Sequence, residues 1–395
     1  MTQPSPTCER ETEWVHVQYA EAASKFKEVY GFAGSQGMVN LEGVRMLPKG
    51  KPAKTLVVMM HPATSLEFLP VPRALPEAGV HVLCAANRYF RNDTPLIMEK
   101  VVCDLNAYMR HAREVWGYQK IVLLGWSGGG PLSLFFQSQA ENPTITQTPA
   151  GDPADLKAAG LLPVDAIIFQ AANISRAALL SEAIDPSVLD ENDPDRRDPE
   201  LDIYDPRNPN QPPYSEDYIR YYRAKQLERI RRRTAWVQET LERLQKRGGS
   251  EVERGMLTHR TLADLRYLDV KVDPNDRPPR ICVMGDPESA NSGPAGLARY
   301  STLRSWLSQW SIDDSNVSGV RGAASITVPL LVIENSADEA CPASDPGKIY
   351  AAAASTDKTM KVIKGARHYY QGQPELLKEA IDCCLEWLRA RNLLD

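Results

Sequence analysis

The sequence lacks the marks of a disulfide-stapled or membrane-spanning protein. Its seven cysteines are odd in number and include no C-x-x-C pair, a pattern that favours reduced, buried thiols over a disulfide framework. No apolar run approaches the ~20 residues that cross a bilayer. The opening residues show no basic start followed by an apolar stretch, so no signal peptide is expected. We therefore expect a cytoplasmic protein with no membrane partner.

A strong excess of one charge is also missing. The 395 residues carry a net charge of -5, with 43% hydrophobic and 25% charged residues, as ordinary globular proteins do. This balance gives no reason to expect nucleic acid as a partner. The length allows one large domain with an insertion, or two domains. A homodimer is compatible with the sequence, which contains nothing that fixes the oligomeric state.

Continuous apolar segments alternate with helical patterns over much of the chain. These segments have the length and composition of strands buried on both faces. They lie at 55–60, 80–86, 121–124, 164–172 and 328–334. Earlier, 13–19 and 38–46 alternate polar and apolar residues, as antiparallel strands do. The sequence thus predicts an α/β protein with a mostly parallel central sheet covered by helices on both faces.

A long segment interrupts this rhythm and is interpreted as a mainly helical cap inserted over the sheet. The predicted division is 1–172 and 325–395 for the two halves of the core and 173–324 for the cap. Within the predicted cap, the segment 185–213 is acidic and rich in proline. This segment faintly resembles a calcium loop but lacks the required glycine and distal glutamate. A helix is predicted from Tyr214 to Arg247.

Two features of this cap admit alternative interpretations. The arginine run at 229 and 231–233 fits a nucleic-acid stripe, but it fits a solvated helix face or pairing with the preceding acidic loop better. Several aromatic residues either line a substrate pocket or form the core of the cap. They are Tyr218, Tyr221, Tyr222, Trp236, Trp306 and Trp310.

The chain is organised around the stretch from Ile121 to Gly130, where a buried strand runs through Gly125-Trp126-Ser127-Gly128-Gly129 into a helix. This is the strand–turn–helix context that gives a G-x-S-x-G motif its meaning. A Cβ at Gly125 or Gly129 would collide with neighbouring backbone, and Ser127 is expected in a strained conformation that exposes its hydroxyl. The helix behind it directs free N–H groups at a developing oxyanion. Ser127 is therefore the predicted nucleophile.

A serine nucleophile needs a base and a group that orients the base. Of the six histidines, His368 lies in the loop between the last strand and the last helix, where α/β active sites form. Asp338 directly follows the buried strand at 328–334 and is favoured as the acid over Glu334 and Glu339. The resulting order of serine, aspartate and histidine matches one known class of catalytic triad.

The oxyanion needs two N–H donors. One is expected at Gly128, the residue after the nucleophile. The other is expected from the loop after strand 55–60, with Ala63 as the first choice and Thr64 as the reserve. Trp126 and His61 are predicted to border the substrate, His61 also serving as a structural hydrogen-bonding residue rather than a base. Neither a metal nor another cofactor is expected.

These motifs resemble those of the α/β-hydrolase fold superfamily over a little under half of the chain. The matching motifs are His61-Pro62, the elbow around Ser127, the acid turn Ser336-Ala337-Asp338, and Gly365-Ala366-Arg367-His368. Many members have His-Gly where this chain has His61-Pro62, and Pro62 has no N–H to donate. The family commonly carries a cap after the strand that ends near Ala172, as expected here.

The leading hypothesis from the sequence is a serine hydrolase that cleaves a carboxylic ester of a medium-sized organic molecule through an acyl-enzyme. The same triad serves C–C bond, lactone, thioester and amide hydrolysis and acyl transfer, and these remain alternatives. A non-catalytic binding protein on the same fold is a further alternative, disfavoured because the serine, the histidine and the elbow glycines are all present.

Overall fold

The computed structural model describes residues 8–21 and 37–394. The expectation about a signal peptide at the first residues therefore lies outside the described part. A single eight-stranded sheet forms the centre of the structure, in the order β1-β2-β4-β3-β5-β6-β11-β12. Its strands are β1 (Arg10–Ala20), β2 (Met38–Pro48), β3 (Thr55–Met59), β4 (His81–Ala85), β5 (Lys120–Trp126), β6 (Ala166–Gln170), β11 (Leu330–Asn335) and β12 (Lys358–Ile363).

The direction of the strands follows the two hydrophobic patterns in the sequence. β2 pairs antiparallel with β1 and β4. The remaining neighbours in the central sheet, in the order β4-β3-β5-β6-β11-β12, pair in parallel. The alternating segments thus became the half-exposed antiparallel edge, and the continuous apolar segments became the buried parallel centre. The predicted α/β class and mostly parallel sheet are confirmed.

Helices cover both faces of the sheet and enclose two apolar cores. Helices α1 (Pro70–Glu77) and α10 (Pro374–Arg389) pack on one face. Helices α2 (Met98–Glu114), α3 (Gly129–Glu141) and α9 (Asp345–Ala352) pack on the other. Parallel strands require such crossovers, so their carboxyl ends meet at one edge of the sheet. That edge carries the elbow and the predicted acid and histidine loops.

The segment between β6 and β11 contains one long helix and several short elements. Its helices are α4 (Arg176–Ala183), α5 (Glu216–Arg247), α6 (Pro287–Ser292), α7 (Leu303–Gln309) and α8 (Gly319–Ala323), with a 3-10 turn at Leu265–Tyr267. Its strands form two small hairpins, β7 (Val188–Asp190) with β8 (Asp193–Arg197) and β9 (Gly255–Leu257) with β10 (Tyr300–Thr302). The long predicted helix is present, and its N-cap Ser215 accepts a hydrogen bond from the Tyr218 N–H. The boundaries of the cap at 173 and 324 stay a prediction.

The arginine run of α5 is engaged in ion pairs. Arg229 and Arg233 are buried, and both pair with Glu191 of the preceding acidic segment, at 2.8 and 2.5 Å. Arg231 pairs with Asp313 at 2.8 Å. Pairing with the acidic loop therefore holds for Arg229 and Arg233, whereas Arg231 and Arg232 lie on the exposed face of α5.

Most of the cap aromatics belong to its core. Tyr218, Tyr222, Trp306 and Trp310 are buried, and the two indoles stack at 5.0 Å. Tyr221 and Trp236 are exposed on the surface of α5. All seven cysteines are free thiols. Within the described ranges, no helix is both long and apolar enough to cross a bilayer.

Candidate active site

The turn between β5 and α3 is packed so closely that only glycine fits at its flanking positions. A Cβ added to Gly125 would lie 2.5 Å from the Gly129 carbonyl oxygen, and one on Gly129 would lie 2.5 Å from the Met60 carbonyl oxygen. Real Cβ atoms do not approach backbone so closely, so the predicted requirement for glycine at both positions is confirmed. The contact with Met60 also places the end of β3 directly against the elbow.

Ser127 has the strained backbone expected of a nucleophile elbow. Its φ of 55° lies in the left-handed region, which costs a residue with a Cβ about 1 kcal/mol or more. The strain is held by main-chain hydrogen bonds: the Ser127 N–H lies 3.1 Å from the Ala171 carbonyl oxygen, and Gly130 N–H donates to the Ser127 carbonyl at 3.0 Å. Ser127 is only partly buried.

The Ser127 side chain adjoins Cys341, a neighbour that the motifs did not predict. The thiol of Cys341 is buried, and it also donates to the Ala171 carbonyl oxygen at 3.3 Å. Burial, with Asp338 and Asp345 nearby, raises the pKa of the Cys341 thiol well above its usual value, and hydrogen bonds from Asn173 and Ser127 lower it only in part. Cys341 is therefore a neutral thiol and not a competing nucleophile.

Asp338 and His368 form a buried hydrogen-bonded pair on adjacent loops. Asp338 follows β11, and His368 follows β12; since the two strands are parallel neighbours, the loops meet. His368 Nδ1 lies 2.9 Å from Asp338 Oδ2, and both side chains are buried. The other carboxylate oxygen accepts from the N–H groups of Ala340 and Cys341 at 2.7 and 2.8 Å.

This arrangement fixes the tautomer of His368. A carboxylate bonded at Nδ1 keeps the proton on that nitrogen and leaves Nε2 as the basic atom. Nε2 of His368 is buried, and it has no hydrogen-bond partner among the described residues. One nitrogen of His368, a carboxylate oxygen of Asp338 and Cys341 Sγ lie within 4.8 Å of one another. The His368 ring therefore lies near Cys341 and, with its centroid 4.4 Å from that of the Trp126 ring, beside the turn that carries Ser127.

The two competing acids occupy other positions. Glu339 accepts a hydrogen bond from the backbone N–H of His368 at 3.2 Å, so it supports the loop but not the imidazole. Glu334 is still in β11, where partial burial raises its pKa, with Asp273 and Asp276 adding to the effect. Of the three candidates, only Asp338 is brought to the imidazole.

A polar network beneath the pair supports the histidine loop. Gln170, at the end of β6, donates to the Tyr370 hydroxyl at 2.9 Å, and that hydroxyl donates to Asn335 Oδ1 at 2.7 Å. Asn335 Nδ2 in turn donates to the Arg367 carbonyl oxygen at 2.9 Å. The chain of bonds links the neighbouring strands β6 and β11 to the residues on either side of His368.

The predicted substrate-bordering residue Trp126 is buried between the two histidines. Its ring lies 4.4 Å from the His368 ring and 6.2 Å from the His61 ring, measured between centroids. Its indole N–H points at the His368 carbonyl oxygen at 3.4 Å. Little of the indole is open to a ligand, so packing against His368 is its visible role.

The two N–H groups expected to bind the oxyanion differ in their surroundings. Gly128 directly precedes α3, at its N-cap, where the helix end favours negative charge. The N–H of Ala63, by contrast, donates to Nδ1 of His61 at 3.1 Å. His61 Nε2 lies beside Gly128, 2.9 Å from the position that a Cβ on that glycine would occupy. The Thr64 hydroxyl donates a hydrogen bond to the Ser65 carbonyl oxygen at 3.4 Å.

Several site residues gave only weak signals in the sequence. Gln170 ends an otherwise apolar strand, and a polar residue there indicates a buried partner. Cys341 lies three positions after Asp338 in the acid turn, but no periodicity marks a thiol as a neighbour of a serine. Asn275, which donates to the Asp338 carbonyl oxygen at 2.9 Å, comes from the inserted segment and carries no motif.

The strand order and the elbow define the class of protein. A mixed sheet in the order 1-2-4-3-5-6 followed by two further parallel strands, with an antiparallel second strand and a G-x-S-x-G turn between β5 and α3, has the arrangement of the α/β-hydrolase fold. The resemblance inferred from the motifs is thereby confirmed for the fold.

Solved structures with esterase and lipase names are similar over most of this chain. Est1E from Butyrivibrio proteoclasticus matches at 15% identity and a TM-score of 0.45, over 89% of this chain and 95% of that one. The esterase domain from a Rhodothermus marinus protein matches at 13% identity and a TM-score of 0.46, over 96% and 98%. Monoacylglycerol lipase from Paleococcus ferrophilus matches at 13% identity and a TM-score of 0.43, over 88% of this chain and 98% of that one. A scan against family models and a search of curated proteins found no match.

Proposed function

We propose that this protein is a serine hydrolase that cleaves a carboxylic ester through an acyl-enzyme on Ser127. The observation that carries the proposal is the buried Asp338–His368 pair at 2.9 Å with an unpartnered Nε2 beside the elbow. A buried basic nitrogen without a partner is costly, and such a group is expected where a proton is to be received. The likeness to esterases is too distant to add to this argument.

In the first step, the Ser127 hydroxyl is directed at His368 Nε2. Oγ attacks the ester carbonyl carbon while its proton passes to His368 Nε2, and the carbonyl π pair moves onto the oxygen. The tetrahedral intermediate collapses when the bond to the alcohol oxygen breaks and His368 returns the proton to the leaving alcohol. Water then repeats the sequence on the acyl-enzyme, with His368 again taking and returning one proton.

Asp338 has two roles in this proposal. Its hydrogen bond to Nδ1 keeps Nε2 free to accept the serine proton, and its charge stabilises the imidazolium that forms. The two backbone N–H groups on its other oxygen hold the carboxylate in place. Gly128 N–H, at the start of α3, is assigned to the oxyanion.

The inserted segment favours a medium-sized organic ester over an emulsified lipid. His368 and Asp338 are buried, and residues of the insertion contact the acid turn directly. A site covered in this way suits a molecule that enters it whole. Efficient turnover of long-chain emulsified triacylglycerol would contradict this part of the proposal.

The test is turnover of p-nitrophenyl acetate and butyrate by the wild type and by Ser127→Ala. We expect a burst and steady turnover that both disappear in the variant. Ser138→Ala is the matched control, because Ser138 is a buried serine on α3 that bonds only to the Phe135 carbonyl oxygen. Failure of a fluorophosphonate to label Ser127 in the wild type would contradict the proposed nucleophile.

A further inference from the structure

The first-choice main-chain donor in the loop after β3 is already engaged within the loop. Pro62 has no N–H, and the Ala63 N–H is bonded to His61 Nδ1 at 3.1 Å. Asn87 holds this loop rigidly, since its Nδ2 donates to the carbonyl oxygens of His61 and Pro62, each at 2.9 Å. An oxyanion supported by Gly128 alone would lack the second donor that acyl transfer uses.

The same hydrogen bond fixes the protonation of His61. An imidazole nitrogen that accepts an N–H carries no proton, so neutral His61 holds its proton on Nε2. Nε2 has no hydrogen-bond partner among the described residues, and it lies beside Gly128. A donor without a partner therefore lies next to the first expected oxyanion donor.

We propose that the Nε2–H of His61 is the second hydrogen-bond donor to the oxyanion, in place of a main-chain N–H of the same loop. This inference rests on the proposed function, because it concerns the tetrahedral intermediate at Ser127. The ring stays unprotonated at Nδ1 throughout, so His61 stabilises charge and transfers no proton.

The surroundings of His61 keep the ring neutral, as this role requires. Burial, together with the charges of Arg176 and His368, lowers the pKa of His61 from 6.5 to about 3. Among the charged groups that face it, Arg176 is itself paired with Asp93. A neutral imidazole can polarise a carbonyl oxygen as its charge develops, without losing the proton that makes the hydrogen bond.

Two substitutions separate hydrogen bonding from packing. His61→Phe keeps a flat ring but removes the donor, whereas His61→Gln places an amide N–H near the position of Nε2. We expect about a 100-fold fall in kcat/KM for p-nitrophenyl butyrate in the Phe variant, carried by kcat with KM nearly unchanged. The Gln variant should keep activity within about tenfold of the wild type. The matched control is His81→Phe, since His81 is a buried histidine at the start of β4, the opposite end of the sheet.

The inhibition constant (Ki) of a trifluoromethyl ketone distinguishes an oxyanion donor from a residue that only supports the fold. Its hemiketal oxyanion on Ser127 mimics the intermediate, so its Ki should rise in proportion to the loss of kcat/KM across the three proteins. Equal kcat/KM in the Phe and Gln variants would overturn the inference, and so would a Phe variant whose kcat/KM lies within threefold of the wild type. A 15N spectrum that shows the His61 proton on Nδ1 would also overturn it. Wild-type turnover with these results would refute only the role of His61. A wild type that neither turns over an ester nor reacts with a fluorophosphonate would refute the proposed function itself.

Discussion

Asn275 of the inserted segment donates a hydrogen bond from Nδ2 to the main-chain oxygen of Asp338, at 2.9 Å. Beside it, the Asp276 N–H donates to the Ser336 carbonyl oxygen at 2.7 Å. The insertion therefore contacts the turn that carries the candidate acid, and its position bears on how that turn is held.

Removing this contact should weaken catalysis modestly without abolishing it. Asn275→Ala deletes the hydrogen bond to the acid turn, worth about 1 kcal/mol, and also the two that Asn275 Oδ1 accepts from Arg277 within the insertion. Since only the first bond reaches the acid turn, we expect a fall in kcat/KM of about two- to tenfold. Steady-state kinetics with p-nitrophenyl butyrate would measure it. Asn192→Ala, on the exposed turn between β7 and β8, is the matched control and should behave as the wild type. An Asn275 variant with unchanged kinetics would show that the contact does not position Asp338.

Neutralising the candidate acid should cost far more than neutralising its neighbour. Asp338→Asn removes the charge and no longer fixes the His368 tautomer, so kcat should fall by about 10³- to 10⁴-fold. Glu339→Gln keeps an oxygen that can accept the His368 N–H and should lose less than about tenfold. Equal losses in the two variants would argue against Asp338 as the acid.

The Cys341 thiol beside Ser127 should have little effect on activation of the serine. Cys341→Ala removes this neighbour of Ser127, and any hydrogen bond that the thiol makes to the serine hydroxyl contributes about 1 kcal/mol or less. Fluorophosphonate labelling of Ser127 should proceed at the wild-type rate or up to about fivefold faster. Cys84→Ala, which removes a buried thiol from β4, controls for loss of a core sulfur. Labelling slowed more than tenfold would mean that the thiol helps to place the nucleophile.

Gly130 is required by the packing of α3 on β6. A Cβ there would lie 2.5 Å from the Ala172 Cβ and 2.6 Å from the Phe169 ring. Gly130→Ala should lower the free energy of unfolding by about 1–3 kcal/mol through overpacking. Gly347→Ala is the control, because Gly347 lies in α9 with open space around its Cβ position, and the change should be neutral or stabilising by up to ~1 kcal/mol. Urea unfolding measures both, and equal stabilities would contradict the prediction.

His61 should make stability depend on pH in the mildly acidic range. Its pKa is lowered from 6.5 to about 3 in the folded protein, chiefly by burial. Above pH 6.5 both states hold the ring neutral; between 6.5 and about 3 the unfolded chain binds a proton that the folded protein does not. Stability contributed by neutral His61 is therefore lost as the pH falls through this window.

The test compares urea midpoints at pH 7 and pH 4.5 for the wild type and His61→Gln. The variant lacks the titrating ring, so its midpoint should drop less than that of the wild type over this interval. Parallel drops in the two proteins would show that His61 is not buried in a neutral form.

The sheet and the elbow could be predicted from the order of the amino acids. Continuous apolar segments and alternating segments require different environments, so β3, β5, β6 and β11 could be predicted as central strands and β1 and β2 as the antiparallel edge. The need for glycine at 125 and 129 could also be predicted, because neighbouring backbone lies so close to both positions that a Cβ would collide with it. The choice of Asp338 and His368 as partners followed from their places after parallel strands, and the geometry places them together.

The hydrogen-bond partners of these residues could not be predicted in the same way, because they depend on three-dimensional packing. The sequence offered Ala63 as an oxyanion donor, but the direction of its N–H depends on how the His61 ring turns in a loop held by Asn87. Cys341, Asn275 and Gln170 reach the site from separate segments, and hydrogen bonds between distant segments leave no period or spacing in the chain. Motifs record the local backbone that a site requires, whereas the partners of its side chains are set by packing across the whole fold.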